Sequence, residues 1–264
     1  MKTSQKNNFI WKWLENPLTR EISLDDPKLT NLRRQNIFMN RFLHEVYCLW
    51  YRYIAASLPK RNFLLLEIGS GAGFLEEYVP NLIQSDILPI AGNTICLNAL
   101  HLSFHASTFQ SILMTNVLHH IPNTRQFFNE ADRILIPGGM IVMVEPWVTP
   151  WSTWIYTHLH HEGFDPNPRE WDFPTSGPLS GAHSALPWII FQRDISKFKA
   201  EFPYIKEITI RPIMPILYLF SGGVSMHPLA PFFLFSFLKW LDGKISNWKS
   251  QPAMFALIIV KKSF

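Results

Sequence analysis

The sequence predicts an α/β fold with a mostly parallel sheet and helices on both faces. Three observations lead to it. Short apolar runs of strand length alternate with helix-periodic stretches, the rhythm of strand–helix–strand units. The first run, Phe63 to Ile68, is apolar almost throughout, as in a strand covered on both sides, and it ends in a cluster of glycines. The 264 residues are 47% hydrophobic and only 17% charged, so the chain holds enough apolar mass for one large core and is not disordered.

The elements follow in order. Asp26-Pro27 is a helix start, with Asp as N-cap and Pro at the first helical position. The helical pattern runs on to Leu58, with Phe42, Val46, Trp50 and Tyr53 on one face, and Pro59 ends it. Upstream lies a polar, Trp-containing segment with a turn at Asn16-Pro17. Strands are expected at Phe63–Ile68, Leu82–Ile87, Ile95–Leu97, Phe109–Val117, Met140–Val144, Ile205–Ile213 and Met254–Lys262. Helices are expected at Phe74–Tyr78, Asn123–Leu135 and Leu186–Phe202, the middle one stopped by Pro137-Gly138-Gly139. The organisation is therefore an N-terminal helical cap over residues 1–59 and one α/β domain over 60–264. Two stretches, 148–187 and 213–253, break the rhythm as insertions on the ligand side.

Composition excludes several classes. Lys plus Arg is 24 and Asp plus Glu is 20, a net charge of +4 without a dense basic block, so a charge-driven nucleic-acid binder is not expected. Cys48 and Cys96 are far apart and form no metal-type spacing, which favours a reducing, cytoplasmic setting. The N-terminus does not read as a secretory signal. Pro212 to Leu238 lacks any charged residue, but its prolines and Gly222-Gly223 break any continuous spanning helix.

The sharpest motif is Glu67-Ile68-Gly69-Ser70-Gly71-Ala72-Gly73, a strand running through a glycine turn into a helix. Such a turn lets a ligand approach the backbone. A dinucleotide fingerprint wants glycine where Phe74 stands, which opposes nicotinamide chemistry. Glu67 just ahead of the turn would repel a pyrophosphate and suits a ligand with a cationic amine. Glu67, Asp86, Asn98, Asn116 and Glu145 each follow a predicted strand, and ligands of open α/β sheets bind at those ends.

With these residues the sequence resembles the class I S-adenosylmethionine-dependent methyltransferases of the type-11 kind. The resemblance covers roughly residues 60–147 well and the last two strands loosely. Asn98-Ala99, Asn116-Val117 within Thr115–Pro122, and Ala131–Gly139 resemble further family segments. It implies a Rossmann-like seven-stranded sheet with an antiparallel last strand, and S-adenosyl-L-methionine as cofactor. It implies a cofactor site at Glu67, Gly69, Ser70, Gly71, Gly73, Asp86, Asn98, Ala99, Asn116 and Val117, with Asp86 on the ribose hydroxyls. Two departures stand out. Asn98 replaces the usual Asp beside the adenine, and Leu88–Thr94 is too short for a crossover helix.

The resemblance is nearly silent on substrate. His119 and His120, just after the fourth strand, are the candidate catalytic bases; the family also carries this pair without a catalytic role. His158, His160, His161 and Glu162 fit no structural zinc motif and read better as a polar wall facing the substrate. Asp165, Arg169, Glu170 and Asp172 could meet sugar hydroxyls or simply be solvated. Between the last strands, Phe232, Phe233, Phe235, Phe237 and Trp240 are too many for one helix face, and Lys239, Lys244 and Lys249 follow. Residues 213–241 are either a lid packed on its own domain or a peripheral membrane contact. Both favour an apolar or lipid-linked acceptor, with oxygen preferred because a histidine base is at hand. The competing reading is a non-catalytic S-adenosylmethionine- or lipid-binding module of the same fold.

Overall fold

A computed structural model describes residues 22–60, 63–90, 95–159, 163–175, 177, 179, 181–247 and 252–264. The upstream Trp-containing segment with Asn16-Pro17 lies outside the described residues, as do His160, His161, Glu162 and Lys249. Seven strands form one sheet in the order β3-β2-β1-β4-β5-β7-β6. They are β1 (Leu65–Ile68), β2 (Leu82–Asp86), β3 (Ile95–Cys96), β4 (Phe109–Thr115), β5 (Leu135–Pro146), β6 (Ile205–Ile213) and β7 (Phe255–Lys262). All neighbours pair in parallel up to β5, and β7 runs antiparallel to both β5 and β6. The order reverses at β1, between β2 and β4, and that switch opens a crevice at the strand ends.

Strand alternation divides the core in two. Met140, Val142 and Val144 of β5 face one side, with Leu65, Leu113, Leu257 and the helices Pro27–Met39 and Arg41–Ser57. Ile141 and Met143 face the other, with Leu66, Ile68, Ile112, Phe127 and Phe198. Both faces are thus buried, which is why the strands read as continuous apolar runs. Within the 148–187 stretch a helix forms over Pro150–Leu159, and Trp171 is fully buried with its indole N–H on Asp194 at 2.9 Å.

Several elements differ from the sequence reading. Asp26 does cap the first helix, accepting from the Lys28 N–H at 2.8 Å. That helix stops at Met39, because Asn40 leaves helical geometry and caps a second helix by accepting from the Leu43 N–H at 3.1 Å. The Phe74–Tyr78 helix is a single 3₁₀ turn, Leu75–Glu77. The Leu186–Phe202 stretch is two short α-helical pieces, Leu186–Trp188 and Ile195–Glu201, joined by a π-turn over Ile189–Arg193 and a turn at Asp194. β4 ends at Thr115 because Asn116 is left-handed, with φ of 58°. Only residues 87–94 link the parallel strands β2 and β3; the described part of this link holds no helix, and β3 is two residues long.

Candidate active site

One cavity of about 1350 Å³ lies at the β-strand ends under the N-terminal helices. The glycine turn forms its floor. Gly69 and Gly71 have φ of 67° and 50°, so the turn depends on residues that tolerate the left-handed region. A Cβ on Gly69 would lie 2.6 Å from a Val117 methyl, whereas one on Gly71 would meet nothing closer than 3.7 Å. Gly71 is therefore the point where backbone opens to the cavity. Gly73 faces the other way: a Cβ there would lie 2.4 Å from the Tyr51 hydroxyl, which accepts from the Phe74 N–H at 3.2 Å.

Asp86, at the end of β2, accepts from the Gly71 N–H at 2.9 Å and from the Leu88 N–H at 2.9 Å. These bonds fix the carboxylate beside the turn, while burial pushes its pKa above the usual range. Each carboxylate oxygen keeps lone-pair capacity for a ligand hydroxyl. Glu67 on β1 is buried, and its pKa is pushed up to about 8, chiefly by loss of water. Its neighbour Gln84 donates to it at 3.4 Å, and Glu76 and Asp86 add repulsion. A cationic ligand group beside Glu67 would reverse that balance. Asn116 brings a side-chain oxygen that is buried without a hydrogen-bond partner. Ser70 and Val117 also line the cavity, as do Ala99 and Asn98, whose side-chain oxygen Oδ1 accepts from the Leu100 N–H at 2.9 Å.

His119 and His120 sit on a 3₁₀ turn after β4, their rings 4.2 Å apart, and both line the cavity. Glu145 of β5 is fully buried and accepts from His119 Nδ1 at 2.7 Å. Its other oxygen accepts from the Val117 and Leu118 N–H groups at 2.8 and 2.7 Å. The expected convergence of Glu145 on the crevice is therefore corrected. Its carboxylate lies behind the wall and holds the His119 ring and the turn in place. His120 Nδ1 donates to the Gly181 carbonyl at 3.3 Å.

All twelve residues proposed for cofactor and catalysis thus line the same cavity. Asp165, Arg169, Glu170 and Asp172 do not; Asp172 instead pairs with Arg125 at 3.3 Å. His158 reaches the rim, with Nδ1 donating to the Trp154 carbonyl at 2.8 Å. Sequence reasoning missed the roof, where Arg33, Tyr47 and Tyr51 come from the N-terminal helices and Tyr218 and Met226 from beyond β6. One signal was present: Tyr47 and Tyr51 put polar tips on the core face of an apolar helix.

Residues 66–143 match the methyltransferase domain family. Over that segment the chain is similar to a methyltransferase domain, and its fold is the one that SAM-dependent methyltransferases share. The chain also resembles an uncharacterized protein of Methanocaldococcus jannaschii, with 35% identity over 94 residues. That match takes in 32% of this chain and 41% of the relative, so the chain spans about two fifths of it. A SAM-dependent methyltransferase of Thermotoga maritima superposes with a TM-score of 0.55 at 13% identity, over 90% of this chain and 97% of that one. A geranyl diphosphate C-methyltransferase of Streptomyces coelicolor, solved with Mg²⁺, geranyl diphosphate and S-adenosylhomocysteine, gives 0.51 at 12% identity. It covers 94% of this chain and 91% of that one. At these identities the likeness is one of fold. The methyltransferase fold accounts for the sheet order and the reversed β7, and leaves the acceptor to be argued from the cavity.

Proposed function

We propose that the chain is an S-adenosylmethionine-dependent methyltransferase acting on an apolar or lipid-linked acceptor, with a hydroxyl oxygen as the preferred target. The observation that carries this reading is the opening at Gly71, flanked by Asp86 and Glu67, onto a cavity large enough for cofactor and acceptor together. Asp86 suits the ribose hydroxyls, and Glu67 suits the ammonium of the amino-acid end. The orphan Asn116 oxygen offers a further acceptor in the same wall. The cofactor supplies a sulfonium methyl, whose bond to sulfur breaks, leaving its electron pair on sulfur, as the acceptor oxygen bonds the carbon. The protein's part is to align the acceptor, exclude water and take the hydroxyl proton. His119 is the base in this reading, with Glu145 holding Nδ1 so that Nε2 is the nitrogen that accepts. The free thiols Cys48 and Cys96 support a cytoplasmic setting.

Calorimetry and thermal unfolding with S-adenosylhomocysteine test the cofactor. At about 100 times its dissociation constant the product should add roughly 2.7 kcal/mol, seen as a Tm rise of roughly 5–10 °C. A shift with NAD and none with S-adenosylhomocysteine would overturn the assignment. Labelled methyl transfer into a lipid extract tests the activity. His119→Gln is expected to keep product affinity and lose transfer; binding without any transfer would favour the non-catalytic module.

We also propose that the 213–241 region docks on membrane. Phe235 is buried, in edge contact with Phe42 at 5.1 Å, but Phe233, Phe237 and Trp240 are 80%, 56% and 58% exposed. With Lys244 they recur at helical spacing on the outer face of the Phe235–Ser246 helix and the turn before it. Among the described residues no helix is long and apolar enough to cross a membrane, so the contact is a surface one. The protein should co-sediment with phosphatidylglycerol-containing vesicles. Phe237→Ser with Trp240→Ser should cut the bound fraction at every salt concentration, since each ring contributes up to about 1.5–3 kcal/mol if fully buried. Lys239→Glu with Lys244→Glu should cut it mainly at low salt. Wild-type protein that stays in the supernatant at every lipid composition excludes docking.

A further inference from the structure

Arg33 is the only lysine or arginine among the described residues lining the cavity. Its Nε is fully buried and has no hydrogen-bond partner. Four other arginines among the described residues are matched. Arg34 donates to the Gly73 carbonyl and lies 3.6 Å from Glu76, and Arg125, Arg133 and Arg193 each bind a carboxylate. Among the described residues no carboxylate pairs with Arg33, and a guanidinium held at a cavity wall without a counter-charge is costly unless a ligand supplies one. Around it stand the hydroxyls of Thr30, one turn earlier on the helix, and of Tyr47, which senses the Arg33 charge. Helix geometry shows which end of the cavity this is. Asn36, three residues on and hence on the same face, donates to the Val224 carbonyl at 3.2 Å. Arg33 therefore faces the loop beyond β6, whereas its neighbour Arg34 faces the glycine turn. The segment beyond β6 puts Tyr218, Val224 and Met226 in the cavity wall, so Arg33 lies at the end away from the glycine turn, the end left for the acceptor in the methyltransferase reading.

We propose that Arg33 anchors an anionic group, a carboxylate or phosphate, on the acceptor that shares the cavity with the cofactor. This rests on the methyltransferase reading and narrows it: the acceptor joins an apolar body to a negative charge. A planar guanidinium suits paired contacts to either anion.

The test uses the full chain with S-adenosylhomocysteine and two probes below micelle-forming concentration: decyl phosphate, and decanol, which lacks the charge. Wild-type protein is expected to bind decyl phosphate at least about tenfold more tightly than Arg33→Gln, with Arg33→Lys between them, and decanol equally in all three. Arg33→Met, which keeps an apolar stem, gives the same comparison if the amide is not accommodated. Equal binding of decyl phosphate by wild type and both neutral variants overturns the proposal. So does an affinity loss for S-adenosylhomocysteine in Arg33→Gln that vanishes with 5′-methylthioadenosine, because the cofactor's own carboxylate would then be the anion on Arg33. The probes are also titrated without S-adenosylhomocysteine. A charge-dependent preference that persists when the product itself fails to bind supports the anchor and strikes only the cofactor reading.

Discussion

Gly71→Val is expected to abolish cofactor binding while the domain stays folded, and Gly73→Ala is expected to do nearly the reverse. The two glycines are two residues apart, yet they face different things. At Gly71 a Cβ finds ordinary contact distances, 3.7 Å to the Gly69 carbonyl and 3.9 Å to Asp86, so the protein itself has room. The valine branches then project into the space beside Asp86 that the ligand needs, and the left-handed φ of 50° adds roughly 1–2 kcal/mol of strain. Affinity for S-adenosylhomocysteine should fall more than about hundredfold, roughly 2.7 kcal/mol or more. At Gly73 a Cβ would lie 2.4 Å from the hydroxyl of Tyr51, a side chain buried against Phe74. The methyl must push the Arg41–Ser57 helix off the turn, an overpacking cost of about 1–3 kcal/mol that should lower Tm by roughly 3–10 °C. Calorimetry and thermal unfolding on both variants decide the matter. Full cofactor affinity in Gly71→Val would remove the glycine turn from the site.

The glycine turn, the strands and the strand-end polar residues were legible because local rules govern them: apolar runs, glycine and a parallel sheet. Strand alternation also carries side-chain direction. Glu67 shares parity with Leu65 and so points to the side of the N-terminal helices, into the cavity. Glu145 shares parity with Ile141 and Met143 and so points to the opposite side, where it meets His119. The break at Asn40 was not legible, since its side-chain amide donates to the Ser221 carbonyl, a partner remote in sequence. Nor was the sorting of the phenylalanines after Pro231. Asp242 accepts from the Ile216 and Leu217 N–H groups and fixes which face of its helix turns inward. Without that long-range contact, five aromatic rings offered no inside or outside.

Glu67→Gln is expected to flatten the pH dependence of stability and weaken the cofactor at once. In the folded protein Glu67 titrates near 8 rather than near 4.5, because ionising it there costs its hydration. The folded state therefore keeps a proton that the unfolded chain has released. Stability of the ligand-free protein must fall as pH rises between about 4.5 and 8, and level off above. This is the reverse of a salt-bridged carboxylate. Asp242, pushed up to about 6 by burial, contributes the same sign over a lower window, but it is present in both proteins and cancels in their difference. The variant should match wild type near pH 4 and exceed it in Tm at pH 9. Binding carries the opposite consequence. An ammonium beside Glu67 favours the carboxylate, so wild-type protein should release a proton when S-adenosylhomocysteine binds below pH 8. That release appears as a binding enthalpy that varies with the ionisation heat of the buffer. Glu67→Gln should show no such release from this site and should lose roughly 1.5–3 kcal/mol of affinity, the worth of a hydrogen bond to a charged group. Identical Tm profiles from pH 4 to 9 would dismiss the buried acid, and unchanged affinity would dismiss its contact with the ammonium.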